Sequence, residues 1–67
     1  MQKWEYLVVA EGIQYRTHGY NIEGAEGDNF QPNRSFSSIA NDLGSSEWEL
    51  VGYSSEPERA VFKRPKS

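Results

Sequence analysis

The stretch Lys3-Trp4-Glu5-Tyr6-Leu7-Val8-Val9-Ala10 decides the fold class, because it is the clearest strand of the chain. It is rich in aromatic and β-branched residues and contains neither Gly nor Pro, as is typical of a β-strand. Successive side chains of a strand point to opposite faces. One face therefore carries the even-numbered residues and the other the odd-numbered residues. Both faces are apolar at several positions, which favours a strand covered on both sides.

The C-terminal half predicts one helix and two more strands. Ser35 is a suitable N-cap, and a single apolar helix face follows at the spacing i, i+3, i+4 and i+7, formed by Phe36, Ile39, Ala40 and Leu43. We expect Gly44 to end this helix as a left-handed C′ residue. Residues 47–53 and 59–64 have strand composition, with a turn at Pro57 between them. On the first of these strands, alternation places Val51 and Tyr53 on the same face.

Between the first strand and the helix lies a stretch with weaker patterns. Residues 13–17 and 20–22 predict a hairpin that turns at His18-Gly19, and residues 23–34 predict an irregular loop. We therefore divide a single domain, residues 1–67, into a core of residues 3–10 and 35–65 and an insert of residues 11–34. The predicted fold is α+β: an antiparallel sheet of three to four strands with one short helix on one face, in the order β-α-β-β.

Composition narrows the chemistry. The 67 residues include no Cys and a single His, and ten acidic against seven basic residues give a net charge of −3. Disulfides, thiolate catalysis and Cys-based zinc sites are therefore excluded, and we expect no metal and no cofactor. The negative charge argues against nucleic acid as a partner, and no apolar run has the roughly 20 residues that cross a bilayer. We expect a soluble, cytoplasmic protein.

Three stretches together resemble a known family. Lys3-Trp4-Glu5-Tyr6 opens the chain, Asn41-Asp42-Leu43-Gly44 leads into Glu47-Trp48-Glu49-Leu50-Val51, and Val61-Phe62-Lys63-Arg64-Pro65 closes it. This pattern is similar to domain of unknown function 4177, a family of small bacterial and phage proteins. The resemblance covers residues 3–10 and 36–65 and implies a β-α-β-β domain, but it implies no activity. Ser46 departs from the family pattern, and the insert has no counterpart in it.

The candidate ligand-binding residues lie in the insert. They are aromatic or cationic side chains outside the family-like core: Tyr15, Arg16, His18, Tyr20, Phe30 and Arg34. Arg16 and Arg34 bracket the insert, so we expect them to converge on a phosphate or carboxylate if the ligand is a small anion. The other interpretation of these residues is ordinary surface charge and a turn at His18.

A single short helix covers only one face of a sheet. We expect the other face to carry Leu7, Val9, Val51 and Tyr53, and an exposed apolar face of this kind marks an interaction site. Trp4 or Tyr6, Phe36, Trp48 and Phe62 would then form the core. The sequence thus predicts a homo-oligomer, most simply a two-fold dimer that packs sheet on sheet.

Three classes of function stay open. The first is a non-catalytic, homo-oligomeric binding or adaptor module with the insert as its recognition element. The second is a protein that binds or sequesters a small molecule, such as a phage-type nucleotide-binding protein. The third is an enzyme that uses His18 and a nearby carboxylate. The sequence favours the first, and with it a protein without catalytic residues.

Overall fold

The computed structural model describes residues 1–24 and 27–66, which form five strands and one helix. The elements are β1 Trp4–Gln14, β2 Thr17–Gly24, β3 Gly27–Pro32, α1 Phe36–Ser45, β4 Glu49–Ser55 and β5 Glu58–Pro65. The strands form one antiparallel sheet in the order β3-β2-β1-β5-β4. The predicted α+β class with one short helix is confirmed. The described sheet has five strands, one more than the upper end of the prediction.

Helix α1 packs on the face of the sheet that carries the odd-numbered residues of β1. The buried core consists of Val9, Tyr20, Ile39, Ala60 and Phe62, and the partly buried residues packed around it are Leu7, Ile22, Phe36, Ala40, Leu43 and Trp48. Val9 lies at the centre of this core, because its neighbours across the two adjacent strands are Ile22 and Ala60. The helical periodicity predicted from Phe36 to Leu43 thus identified the residues that contact the sheet.

The expected faces of β1 are reversed. Val9 is fully buried beneath α1, and Leu7 packs beside it. Trp4 and Tyr6, which were candidates for the core, lie on the opposite face and are 40% and 56% exposed. The prediction that Leu7 and Val9 form an oligomer interface is therefore wrong. The sequence pattern was ambiguous here because both faces of β1 carry apolar side chains.

Tyr53 also lies on the helix side of the sheet. A β-bulge between Leu50 and Gly52 inserts one residue into β4, so the alternation predicted for this strand is shifted after Leu50. Tyr53 consequently pairs with Ala60 of the core, and its ring centroid lies 5.3 Å from that of Phe36. Val51, at the bulge of this edge strand, is about half exposed.

The predicted insert is part of the sheet. Tyr20 belongs to the buried core, and the residues expected to form an irregular loop contain β3, which pairs with β2 from Gly19 to Gly24. The division into a core and a dispensable insert therefore does not hold. Residues 25 and 26, which belong to this segment, lie outside the described part of the chain.

The hairpin after β1 turns three residues earlier than expected. β1 continues to Gln14, and the two turn residues are Tyr15 and Arg16 rather than His18 and Gly19. Gly19 instead lies inside β2. An added Cβ there would lie 2.3 Å from the carbonyl oxygen of Gln31, so the glycine allows β3 to approach closely.

The ends of α1 match the prediction at one side only. The Ser35 hydroxyl accepts a hydrogen bond from the amide of Ser38, which confirms Ser35 as the N-cap. The helix continues through Gly44 to Ser45, and the left-handed residue that follows is Glu47, with a φ of 71°. The amide of Trp48 donates to the carbonyl of Leu43 and that of Glu47 to Gly44, which is a Schellman motif without glycine at C′.

The face of the sheet opposite α1 is not covered by any element in residues 1–24 and 27–66, and we call it the open face. Register and alternation place on it Trp4, Tyr6, Val8, Ala10, Asn21, Glu23, Phe30, Arg59, Val61 and Lys63. The ammonium group of Lys63 lies 4.2 Å from the ring centroid of Trp4. Within the described residues, no helix is long and apolar enough to cross a membrane.

Candidate functional site

The hairpin of β1 and β2 extends beyond the rest of the sheet. β1 pairs with β5 only as far as Ala10, and β2 pairs with β3 only from Gly19 onward. Residues 12–18 are therefore a two-stranded projection, which we call the arm. It lies at one end of a molecule that measures 44 Å along its longest axis and about half that across. Among the described strands, none lies beside the arm.

The tip of the arm is formed by residues that its geometry disfavours. Tyr15 and Arg16 have φ values of 51° and 64°, and two-residue turns with both φ angles positive strongly prefer Asn and Gly. Tyr15 is 96% exposed and nearby Ile13 is 68% exposed. Because neither side chain is needed for the turn or the core, their presence at the tip points to a contact outside this chain.

The root of the arm is held by a hydrogen-bonded cluster around Glu58. The hydroxyl of Tyr20 donates to Oε1 of Glu58, and the hydroxyl of Tyr53 donates to Oε2 at 2.5 Å. The amide of Glu58 donates to Oε1 of Glu11 at 3.1 Å. The cluster therefore ties the end of β5 to the first residues of the hairpin that extend past it.

These contacts fix the protonation states of the cluster. The hydrogen bond to Glu58, with a contribution from burial, raises the pKa of Tyr20 to about 12. The same hydrogen bond to Glu58 also raises the pKa of Tyr53. Donation from Tyr20 and then Tyr53 lowers the pKa of Glu58. At neutral pH both tyrosines are thus neutral donors and Glu58 is an ionised acceptor.

His18 lies at the base of the arm beside an acidic residue. Its Nε2 is 3.5 Å from Oε2 of Glu11, and the two side chains are 62% and 35% exposed. The imidazole ring also meets the ring of Tyr20 edge to face, with centroids 6.3 Å apart. Exposed ion pairs of this kind contribute roughly 0–1 kcal/mol. The histidine has the carboxylate neighbour that an acid–base role requires, but as a surface pair it has the geometry of a structural contact.

The six predicted ligand-binding residues are distributed over different parts of the molecule. Tyr15, Arg16 and His18 lie together on the arm, whereas Tyr20 is buried with its ring 6.1 Å from that of Phe36. Phe30 lies on the open face, half-buried over Gly19. The arm therefore brings together half of the predicted set.

Arg34 is committed to contacts within the chain. Its guanidinium donates to Oε1 of Gln31 and to the hydroxyl of Ser38, both at 2.6 Å, and to Oδ2 of Asp42 at 2.5 Å. These contacts join the end of β3 to α1. A phosphate held jointly by Arg16 and Arg34 would have to displace them.

A groove of about 420 Å³ lies on the helix side of the sheet, beside the C-terminal end of α1. Trp48 lines it, and the guanidinium of Arg64 lies 4.2 Å from the centroid of the Trp48 ring. Arg64 also lies 3.5 Å from the carboxylate of Glu5 and donates to the carbonyl of Ser46 at 3.0 Å. The cation and anion at this groove are therefore engaged with each other.

Sequence reasoning missed the Glu58 cluster. One signal for it was available, because alternation along β1 places Glu11 on the same face as the buried Val9. An acidic residue on the core side of a strand requires a partner. Its partner is 47 residues away in the chain, and no local pattern indicates such a pairing.

The chain matches no family model, and no match was found among curated proteins or solved structures. The resemblance to domain of unknown function 4177 therefore stays a prediction, based on the three stretches quoted above.

Proposed function

We propose that this protein is a non-catalytic binding or adaptor module and that the arm is its recognition element. The observation that carries the proposal is the exposed Tyr15-Arg16 pair at the tip, in a turn where both residues have positive φ. Left-handed backbone costs a residue other than glycine roughly 1–2 kcal/mol. Tyr and Arg are also the residue types that most often dominate the binding energy of protein interfaces.

The Glu58 cluster supports this role by holding the arm in one orientation. A two-stranded hairpin alone is at best marginally stable in water. Here its root is fixed by the hydrogen bonds of Tyr20 and Glu11 to Glu58. A preorganised arm loses less conformational entropy when it binds, and this favours affinity. The partner that this tip suits is a protein surface with a shallow apolar pocket for Tyr15 and an acidic group for Arg16.

The proposal is tested by site-specific photo-crosslinking in the source cells. A photoreactive phenylalanine derivative replaces Tyr15 in one version of the protein and Glu56, in the exposed β4–β5 turn, in a matched control. We expect a cross-link from position 15 to a protein other than a second copy of this chain. Adding Arg16→Gly to the same protein should reduce its yield at least about tenfold, since a buried arginine contact is typically worth 2 kcal/mol or more. Equal products from positions 15 and 56 would contradict the proposal.

A further inference from the structure

The open face has the composition of an interface. Its centre is β1, where Trp4, Tyr6 and Val8 present aromatic and aliphatic groups without a charge between them. The chain exposes 4866 Å² in all, whereas a compact monomer of this mass exposes about 4,300 Å², roughly 500 Å² less. An exposed apolar surface of this size is characteristic of an interaction site.

The charges on the open face are separated by sign. On one side of β1, strand β2 carries Glu23. On the other side, β5 carries Lys63 and Arg59. The strand register places Glu23 level with Val8, Lys63 level with Tyr6 and Arg59 level with Ala10. The acidic group thus lies at a height between the two basic groups, and β2 and β5 are each one strand spacing from β1.

We propose that the open face binds the open face of a second copy, related by a two-fold axis that runs parallel to β1. Rotation about this axis exchanges the two sides of the sheet, so Glu23 of each copy lies over β5 of the other, between Lys63 and Arg59. A two-fold axis perpendicular to the strands would instead place acidic side on acidic side and basic side on basic side. Charge complementarity therefore selects the parallel axis.

The available area suffices for such a dimer. Five strands about 4.8 Å apart and seven paired residues rising about 3.4 Å each give a footprint of roughly 500 Å² per copy. Two copies would bury about 1,000 Å² or more, which is the lower range of specific interfaces. We therefore expect a dimer that dissociates in the micromolar range, with the two sheets about 10 Å apart.

The parallel axis has a consequence for the proposed function, and this step alone rests on that function. Because the rotation preserves the strand direction, both arms project from the same end of the dimer. Two Tyr15-Arg16 tips would then engage a partner together, and paired contacts raise the overall affinity without new chemistry. A perpendicular axis would place the two arms at opposite ends.

Sedimentation velocity from 1 to 300 µM (concentrations chosen to span roughly the affinity expected of so small an interface) tests the dimer. We expect the wild type to dimerise and Tyr6→Glu to stay monomeric, since it places a charge in the apolar centre. Glu23→Lys should weaken dimerisation at least about tenfold at low salt by facing Lys63 and Arg59 of the other copy. The double variant Glu23→Lys, Lys63→Glu restores opposite charges and should return to within about threefold of the wild type.

Glu56→Lys makes the same charge change in the β4–β5 turn and serves as the matched control, which should dimerise like the wild type. Circular dichroism must show that each variant is folded. A wild type that stays monomeric at the highest concentration overturns the proposal, as does undiminished dimerisation of Tyr6→Glu. Failure of the double variant to recover overturns the parallel axis. None of these results depends on whether the arm cross-links to another protein.

Discussion

Glu47 is the residue whose backbone conformation is least suited to its side chain at the end of α1. It occupies the C′ position with a φ of 71°, where glycine is strongly preferred. We predict that Glu47→Gly stabilises the fold by about 1 kcal/mol, which raises the Tm by roughly 4–8 °C in a domain of this size. Thermal unfolding measures this. Ser46→Gly is the control, because the φ of Ser46 is −102° and glycine relieves nothing there. No gain from Glu47→Gly would contradict the Schellman assignment.

Glu58 makes the stability of the protein depend on pH at both extremes. Its folded pKa lies below the ordinary 4.5, so its contribution is present above that value and is lost as the pH falls through the lower folded pKa. Tyr20 has the opposite sign: its pKa is raised from 10 to about 12, so its contribution is complete below pH 10 and is lost as the pH rises toward 12.

Urea unfolding across pH tests this assignment of the cluster. We expect Glu58→Gln to remove part of the acid dependence and Tyr20→Phe to remove part of the alkaline loss. Glu11 and His18 also face Glu58, so the residual slope in Glu58→Gln belongs to them and to the other carboxylates. An unchanged alkaline limb in Tyr20→Phe would refute the Tyr20 contact. Tyr53→Phe, at the exposed end of the cluster, should have the smaller effect.

At the scale of the elements, two glycines have opposite roles. A Cβ at Gly19 would meet the carbonyl oxygen of Gln31 at 2.3 Å and Cα of Pro32 at 2.8 Å. Gly19→Ala must therefore push β3 away from β2, and we predict a loss of about 2 kcal/mol. A Cβ at Gly44, inside α1, meets nothing within 4 Å. Gly44→Ala should stabilise the fold by about 0.5–1 kcal/mol. Chemical denaturation compares the pair, and equal effects would contradict the register of β2 and β3.

The sequence allowed β1 and α1 to be predicted because their patterns are strong and local. The Ser35 cap and the apolar face from Phe36 to Leu43 are in the structure as expected. β3 was missed because it contains Asp28, Asn29 and a terminal proline, which are typical of loops. It is a strand at the edge of the sheet, where such residues are tolerated. Pairing with β2 therefore overrides the local preference.

The candidate site was predicted in part. Aromatic and cationic residues outside the family-like pattern indicated the arm correctly at Tyr15 and Arg16, although the turn was expected at His18-Gly19. The face of β1 that meets α1 could not be predicted, because Val9 and Tyr6 are both apolar and alternation alone gives no preference. The bulge at Leu50 and Gly52 is likewise invisible to alternation, and it moved Tyr53 to the other face.

At the scale of the whole molecule, one short helix leaves half of the sheet surface without cover. The structure assigns the two faces different roles: one forms the core beneath α1, and the other exposes Trp4 and Tyr6. A chain of this length buries a small fraction of its surface compared with larger domains. Self-association through the open face would supply the burial that the chain alone does not achieve, and it would set the arms side by side.

The most direct test of this account is the distance between the two arms in the dimer. Because the chain has no cysteine, Gln14→Cys allows one spin label per copy at the base of the tip. Pulsed electron paramagnetic resonance then measures the separation at a concentration where the wild type is dimeric. For sheets about 10 Å apart and strands crossing at about 30°, we predict a distance of about 20 Å. A distance near 50 Å, which a perpendicular axis would give, or no dipolar coupling at all would contradict the account.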